Sequence, residues 1–450
     1  MNFVYNSVDV IDALPETRRV PHRPTAIELF AGVGGFHLAL HDAGIDVVWA
    51  NQWEPSTQAQ HAAACLVANI ERGRLTAHEV VPYDIERVLD EALIDKVRYI
   101  PKADVVVGGF PCQDYSVAKP LSQAAGIAGR KGVLWWQIHR LLEYRRPRFF
   151  FLENVDRLLK SPSTQRGRDF AIMLASVSDL GYSVEWRVVN AADYGFPQKR
   201  RRVYIVGRLD GFVGHPLATL TRTGILARAL PVEPLGPPLE LDAGFRIEGA
   251  LHEISETFGS RRPTPFRSAG VMAHREVTTH VPRPAYQEER LTLGDVLENE
   301  SDVPPDYFIR DDQVEAWRYL KGAKAEPRVH KGTGLQYFYQ EGAIPFPDRV
   351  DQPSRTILTG EGGSSASRFK HIIQTPSGRY RRLTPVELER LNGFPNDWTA
   401  TGMPDGRRAF MMGNALVVGL VKKIAVELAK EMGVGTEPSF GELEEEAAIA

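Results

Sequence analysis

The run Gly108-Gly109-Phe110-Pro111-Cys112-Gln113-Asp114-Tyr115-Ser116 sets one of the chain's two cysteines on a turn. The apolar run Ala103 to Val107 before it reads as a buried strand, so Cys112 is displayed where a strand gives way to a loop. A glycine pair lets the backbone bend and approach a ligand closely, and the proline fixes the turn. A lone cysteine is as a rule a small buried hydrophobe; this setting suits a nucleophile instead. Glu153 closes a second apolar run, Phe149 to Leu152, and so sits at a strand's end where burial can raise the pKa of its carboxyl group. Gln198, Arg200 and Arg202 alternate on an extended segment leading into Val203 to Val206, so they share one face, while Lys199 and Arg201 turn the other way. A free thiol with a pKa near ~8.5 is only a few per cent ionised at neutral pH, and a nearby cation such as Arg202 raises that fraction.

A further signal lies upstream. Gly32-Val33-Gly34-Gly35 follows the apolar run Ala26 to Phe30, which lets backbone amides approach a nucleotide-like ligand at the start of the next helix. The turn is a poor dinucleotide fingerprint, because His37 stands where the third glycine would be. A nicotinamide dehydrogenase is disfavoured on that ground.

These stretches, in this order, resemble the DNA cytosine-5 methyltransferases of bacterial restriction-modification systems. The resemblance runs from Ala26-Ile27-Glu28-Leu29-Phe30-Ala31-Gly32 through Asp84-Ile85, Pro111-Cys112-Gln113, Glu153-Asn154-Val155 and Gln198-Lys199-Arg200-Arg201-Arg202. It continues in Arg382-Leu383-Thr384-Pro385, Gly393-Phe394-Pro395 and Gly413-Asn414. Each short pattern alone is weak; their ordered succession is strong. The resemblance implies S-adenosyl-L-methionine as cofactor and no metal. Phe30, Gly32, Gly34 and Gly35 would line its methionine end, Trp53 would pack on adenine, Asp84 would accept from the adenine amine with Ile85 beside it, and Asn414 would close the tail end. One departure concerns the ribose: Gln52 stands before Trp53 where the family usually has an acid, and rearranged ribose contact is expected.

The chemistry implied is covalent catalysis. Carbon 5 of cytosine is a poor nucleophile until a thiolate adds at carbon 6; Cys112 would supply that thiolate, and Glu153 would meet ring nitrogen 3 and the exocyclic amine. Arg200 and Arg202 would orient Glu153 and contact the base or backbone, and Asn154 would brace the loop. The thiolate must approach above the ring plane, so the cytosine must leave the duplex. Pro111, Gln113 and Ser116 would lie against the substrate, and Ser116 to Lys131 would close over it. Gln198 joins this substrate-binding set. Arg368, Lys370, Arg379, Arg381 and Arg382 occupy an acid-free stretch that suits phosphate tracking. Before it, Ser354-Arg355-Thr356 leads to a glycine loop resembling the family's recognition segment, with Arg355 or Arg368 placed to read guanine.

The elements that must position these residues follow from the hydrophobic pattern. Short apolar runs alternate with amphipathic stretches from Ala26 to about Gly207: Ala26–Phe30, Val47–Ala50, Ala103–Val107, Phe149–Leu152, Ser183–Val189 and Val203–Val206. This is the pattern of an α/β doubly wound sheet; with the resemblance it becomes a Rossmann-like S-adenosylmethionine-dependent methyltransferase sheet with a smaller, irregular target-recognition domain. Helices are expected at Val133–Tyr144, Phe170–Leu180 and Asn414–Met432. The expected divisions are an extension (1–23), a catalytic and cofactor-binding domain (24–208), a target-recognition domain (209–380), a C-terminal segment completing the catalytic domain (381–435) and an acidic tail (436–450).

With 450 residues, 43% hydrophobic and 25% charged, the chain has the composition of a globular protein with more than one domain. A net charge of −3 gives no global pull toward nucleic acid, so any DNA affinity must come from local clustering. Two cysteines make no disulfide framework, and no apolar run approaches bilayer length or a secretion signal, so a reducing cytosol fits best; the resemblance implies a bacterial cytoplasmic, nucleoid-associated monomer. Duplex DNA is the expected partner, with a restriction endonuclease as functional counterpart. Two other readings stay open: a tRNA cytosine-5 methyltransferase, against which the long second domain speaks, and a catalytically silent DNA-binding paralogue, against which the intact Cys112, Glu153, Arg200 and Arg202 speak.

Overall fold

The computed structural model describes residues 23–76, 78–110, 134–209, 211, 215–234, 244–259, 263–330 and 332–433. Its centre is a ten-stranded sheet in the order β3-β2-β1-β4-β5-β7-β6-β9-β10-β8. The strands are β1 (Thr25–Leu29), β2 (Asp46–Asn51), β3 (Glu79–Val81), β4 (Val105–Gly109), β5 (Phe149–Val155), β6 (Ser183–Asn190), β7 (Arg201–Arg208), β8 (Phe245–Arg246), β9 (Ala269–Ala273) and β10 (Glu276–His280). The first five run parallel, and β7 enters antiparallel between β5 and β6. The strand order reverses at β1, so the crevice outside the carboxyl ends of β1, β2 and β4 is where an open α/β sheet takes a ligand.

Side-chain alternation builds a core on each face. Phe149 and Phe151 join one buried cluster with α1 (Gly35–Asp42), α2 (His61–Glu71) and the C-terminal helices, whereas Phe150 and Leu152 join the other with α3 (Ile85–Leu93), α4 (Leu134–Arg145) and α5 (Arg168–Asp179). Helices α4 and α5 fall where their apolar spacing predicts.

The sheet does not end at β7. Residues 245–280, expected in the second domain, add β9, β10 and β8 to its far edge, and α6 (Ile225–Ala229) packs on the C-terminal helix while α7 (Leu251–Thr257) packs on α5. A separate small core forms between Ile309 and Tyr380, while Val296, Ile357 and Ile373 still belong to the main core. There Trp317 on α8 (Val314–Lys321) packs with Ile309 and Ile372, beside two antiparallel pairs: β11 (Lys324–Val329) with β12 (Gln336–Glu341), and β13 (Ile372–Gln374) with β14 (Tyr380–Arg382).

The chain then returns through α9 (Pro385–Leu391), α10 (Asp405–Asn414) and α11 (Val418–Glu431). The helix expected over 414–432 runs over Val418–Glu431, and Asn414 instead closes the helix before it. The last carbonyls of α10 are taken by side chains from elsewhere: Asn392 Nδ2 donates to Met412 O at 2.8 Å and Arg200 Nη2 to Gly413 O at 3.1 Å. The chain extends at Ala415 before starting α11. Helix α11 packs on α1 as expected, and among the described residues no single helix is long and apolar enough to cross a membrane.

Candidate active site

Strand β4 ends in two glycines for two reasons. A Cβ on Gly108 would lie 2.6 Å from the Leu29 carbonyl oxygen, so close β1–β4 contact requires glycine there. Gly109 pairs with Glu153 in the β4–β5 ladder, and a Cβ on it would come within 3.3 Å of Glu153 Oε2. A side chain at residue 109 would crowd the carboxyl group. Phe110 follows, buried, and its carbonyl accepts from Asn154 Nδ2 at 3.0 Å, so Asn154 braces the backbone that leads into the cysteine turn. Pro111, Cys112, Gln113 and Ser116 lie outside the described residues, as does the expected closing segment 116–131.

Glu153 projects at the carboxyl end of β5 and meets Arg202 of β7, Nε to Oε1, at 3.0 Å. The ladder explains the pairing: Glu153 is opposite Tyr204 and Val155 opposite Arg202, so the two charges are diagonal neighbours on one face. Both are mostly buried, at 13% and 16% side-chain exposure, which confines the carboxylate to a narrow set of positions.

Arg200 does something other than expected. It is buried, donates to Ile357 O at 3.4 Å and Gly413 O at 3.1 Å, and makes no ion pair with Glu153. Burial pulls its guanidinium down, and the nearby Arg202 charge pulls the same way while Glu153 opposes. Arg200 therefore joins the segment around Ile357 and the end of α10 to the floor of the site. Gln198 likewise is wholly buried and is not free for substrate: its Oε1 accepts from Ile357 N at 3.2 Å and its Nε2 donates to Asn392 Oδ1 at 2.9 Å.

At the carboxyl end of β1 the backbone turns sharply, with Phe30 (φ 55°), Gly32 (φ 57°) and Gly34 (φ 89°) all left-handed. For a bulky residue such as Phe30 this conformation is strained and is held by its surroundings. A Cβ on Gly32 would meet no atom within 4 Å, whereas one on Gly35 would lie 3.1 Å from Leu416 and 3.3 Å from Phe394. The turn thus opens outward at Gly32 and is backed at Gly35 by the C-terminal segment. Beneath it Glu28 and His37 are fully buried, with Glu28 Oε1 accepting from His37 N at 3.3 Å. Burial raises the Glu28 carboxyl and lowers the His37 imidazole, each toward its uncharged form.

Gln52 answers the question raised by its sequence position. Its Oε1 accepts from Gly32 N at 2.7 Å, so it fastens the glycine turn instead of standing free for a ribose. Glu54 is also engaged, accepting from Ala62 N at 2.8 Å and pairing with Arg407. Trp53 stands 40% exposed beside the crevice, Asp84 caps α3 by accepting from Glu86 N at 2.8 Å, and Ile85 is buried in the core. Asn414 is exposed at the end of α10.

The expected guanine readers are held within the protein. Arg355 pairs with Asp348 at 2.6 Å, and Arg368 pairs with Glu341 at 2.9 Å while donating to Leu320 O and Gly322 O, both at 3.3 Å. Lys370 donates to Gly363 O and Ser365 O, Arg381 to both oxygens of Glu387, Arg382 to Gly363 O and Asp306 O, and Arg379 pairs with Glu300. The acid-free stretch is a set of loop-bracing cations, with the partners of Lys370 and Arg381 close in sequence and those of Arg368, Arg382 and Arg379 distant. Thr356 donates to Lys199 O, tying the recognition segment to the edge of the catalytic unit. Sequence reasoning missed that tie and the contact behind it: Gly413 packs so closely on Leu358 and Thr359 that a Cβ there would lie 2.4 Å from their backbone.

The strand order with its inserted antiparallel β7, and a glycine turn and carboxyl–guanidinium pair at the carboxyl ends, define a Rossmann-like methyltransferase. The family model described as C-5 cytosine-specific DNA methylase matches residues 25–430, and the chain belongs to that family. It is 42% identical over 434 residues to the type II methyltransferase M.Sau3AI of Staphylococcus aureus, covering 93% of this chain and 98% of that protein. It is 33% identical over 415 residues to M.HaeII of Haemophilus aegyptius, covering 92% and 95%. Among solved structures, the Schizosaccharomyces (S.) pombe Dnmt2 methyltransferase superposes with a TM-score of 0.55 at 15% identity, covering 92% of this chain and 100% of that one. The Entamoeba histolytica methyltransferase EhMeth gives 0.54 at 13%, covering 91% and 99%; both likenesses concern the fold. The protein is a C-5 cytosine DNA methyltransferase of the type II restriction-modification kind.

Proposed function

We propose that the chain methylates carbon 5 of a cytosine turned out of double-stranded DNA at a short specific sequence, through a transient bond between Cys112 and carbon 6. The single observation that carries the reading is the Glu153–Arg202 pair at 3.0 Å, one ladder position from the backbone leading into Cys112. Cys112 adds to carbon 6 as its thiolate. Glu153, held by Arg202, meets ring nitrogen 3 and the exocyclic amine as electron density moves into the ring. Tyr204, opposite Glu153 on the same face, is buried, and that burial raises its phenol, with the Glu153 charge adding; it walls the pocket as a neutral group.

S-adenosylmethionine, when bound, supplies an electrophilic methyl group. The crevice fits it: the open face of Gly32, the exposed indole of Trp53 and the carboxylate of Asp84 line the carboxyl ends of β1 to β3, and Asn414 stands at the end of α10. Since the Gln52 oxygen is held by Gly32 N and Glu54 by Ala62 N and Arg407, neither would stand free for the ribose hydroxyls. After transfer the carbon 5 proton passes to water, and expulsion of the Cys112 sulfur restores the ring.

Residues 294–382, which include the small core around Trp317, serve as the target-recognition unit, and the methyl mark protects host DNA from a cognate restriction enzyme in a bacterial cytoplasm. The chain acts as a monomer on the nucleoid. Transfer of a tritiated methyl group to duplex DNA, tRNA and a Cys112→Ser control tests this: label in duplex DNA alone, absent in the variant, supports it. Label in tRNA alone overturns it.

A further inference from the structure

With Arg355, Arg368, Lys370, Arg381 and Arg382 all engaged internally, the side chains that read bases must lie elsewhere on the recognition unit. The hairpin β11–β12 stands out. Six residue pairs, Lys324↔Glu341 to Val329↔Gln336, form a two-stranded ribbon that joins no other sheet, roughly 20 Å long at ~3.3 Å per residue.

Its two faces differ. On one face Lys324, Glu326, Tyr339 and Glu341 are partly covered while Arg328 and Tyr337 toward the tip are exposed, with Lys324 near Glu341 at 3.9 Å and the Arg328 guanidinium 3.6 Å over the Tyr339 ring. The other face carries Ala325, Pro327, Val329, Gln336, Phe338 and Gln340, every one exposed, with Val329 at 57% and Phe338 at 60%. That face holds no charge, two amides four residues apart and an apolar row between them.

From this we infer that the ribbon enters the DNA major groove, where Gln336 and Gln340 hydrogen-bond adenine edges and Val329 and Phe338 meet thymine methyl groups. The inference rests on the DNA-methylating reading above. A groove about 12 Å wide admits a two-stranded ribbon, and a glutamine amide matches the adenine N6 donor and N7 acceptor, as an apolar side chain matches the thymine methyl. An uncharged face suits base edges and not phosphates. Pro327 removes a donor from β11, which disfavours a further strand, such as that of a second copy, along this edge. The root is rigid and continuous with the site: Arg368 clasps Gly322 O and Glu341, its neighbour Lys370 holds the glycine loop at Gly363 and Ser365, and the segment before that loop is bound by Arg200 at Ile357.

The test uses the full chain, tritiated S-adenosylmethionine and a duplex carrying the sequence that bisulfite sequencing shows the wild type to methylate. The site is expected to contain an A·T pair beside the target cytosine. Gln336→Ala/Gln340→Ala and, separately, Phe338→Ser should raise KM for this duplex about ten- to hundred-fold, with the melting temperature and S-adenosylmethionine affinity unchanged. Replacing the site adenines with 7-deazaadenine, which lacks the N7 acceptor, should weaken the wild type similarly and the double variant little further. A wild type that methylates DNA beside variants with KM within twofold of it overturns the ribbon's role and leaves the proposed function standing. So does a variant whose change is confined to self-association in sedimentation velocity, which would assign the face to a second copy. A wild type that methylates no DNA overturns both.

Discussion

Arg202 holds Glu153 at 3.0 Å across the β5–β7 ladder, and on the other side a Cβ at its ladder partner Gly109 would crowd the carboxylate at 3.3 Å. One acid thus stands between a cation on one strand and a missing Cβ on another. That confinement sets where a ring nitrogen can be met.

Glu153→Gln keeps the shape and removes the proton exchange. Methyl transfer to duplex DNA should fall about 10²–10⁴-fold, the usual worth of a positioned acid or base, while S-adenosylmethionine affinity by calorimetry stays within twofold. A variant with a normal rate would show that ring activation runs through another group.

Arg200→Met should act mainly on stability. Two backbone carbonyls, of Ile357 and Gly413, lose a charged donor, at a cost of about 2–4 kcal/mol in a urea melt. An unchanged melt with activity lost would place Arg200 on the substrate instead.

The two glycines of β4 should separate. Gly108→Ala drives a Cβ to 2.6 Å from backbone Leu29 O, which the sheet cannot relieve, and stability should drop by about 3 kcal/mol. Gly109→Ala meets the end of the Glu153 side chain at 3.3 Å, which can yield. It should fold normally and transfer methyl on the order of tenfold more slowly, since small misplacements of a reacting group are costly. Equal stability loss in both would contradict this division.

Burial raises the Glu185 carboxyl from 4.5 to about 7, against the opposing hydrogen bonds from Leu226 N and Ile225 N. The folded chain then holds a proton that the unfolded chain releases, so this contribution is whole below about pH 4.5 and lost as pH rises through about 7. Relative to Glu185→Gln, which cannot ionise, the wild-type melting temperature should fall between pH 5 and pH 8. Parallel curves would contradict it.

Strands β1, β2, β4, β5, β6 and β7 and the helices α4 and α5 were legible because each is marked by an apolar run or a helical spacing. β3 was not: three residues with two valines at the sheet edge give no pattern to read. The β9–β10 hairpin was hidden for a different reason. Its turn places His274 and Arg275 at φ 50° and 65°, a left-handed pair that hairpins usually fill with Asn-Gly or Asp-Gly, so tertiary pairing with β6 overrides the local signal. The Glu153–Arg202 relation came from the family resemblance; strand alternation alone put Arg200 on the same face, where it bonds Ile357 O and Gly413 O instead. The fate of Arg355 and Arg368 was not legible, because a run of cations looks the same whether it faces phosphate or its own carbonyls, and the acids that hold them sit 7 and 27 residues away in sequence, at Asp348 and Glu341.

The central claim is the sulfur–carbon bond at Cys112. A duplex bearing 5-fluorocytosine at the methylated position cannot lose a proton from carbon 5 after transfer, so the adduct should persist. Incubated with S-adenosylmethionine, the wild type should form a denaturation-resistant protein–DNA complex whose cross-linked peptide contains Cys112, and Cys112→Ser should form none. A wild type that methylates unmodified cytosine but yields no such complex, or one linked through another residue, would contradict the account.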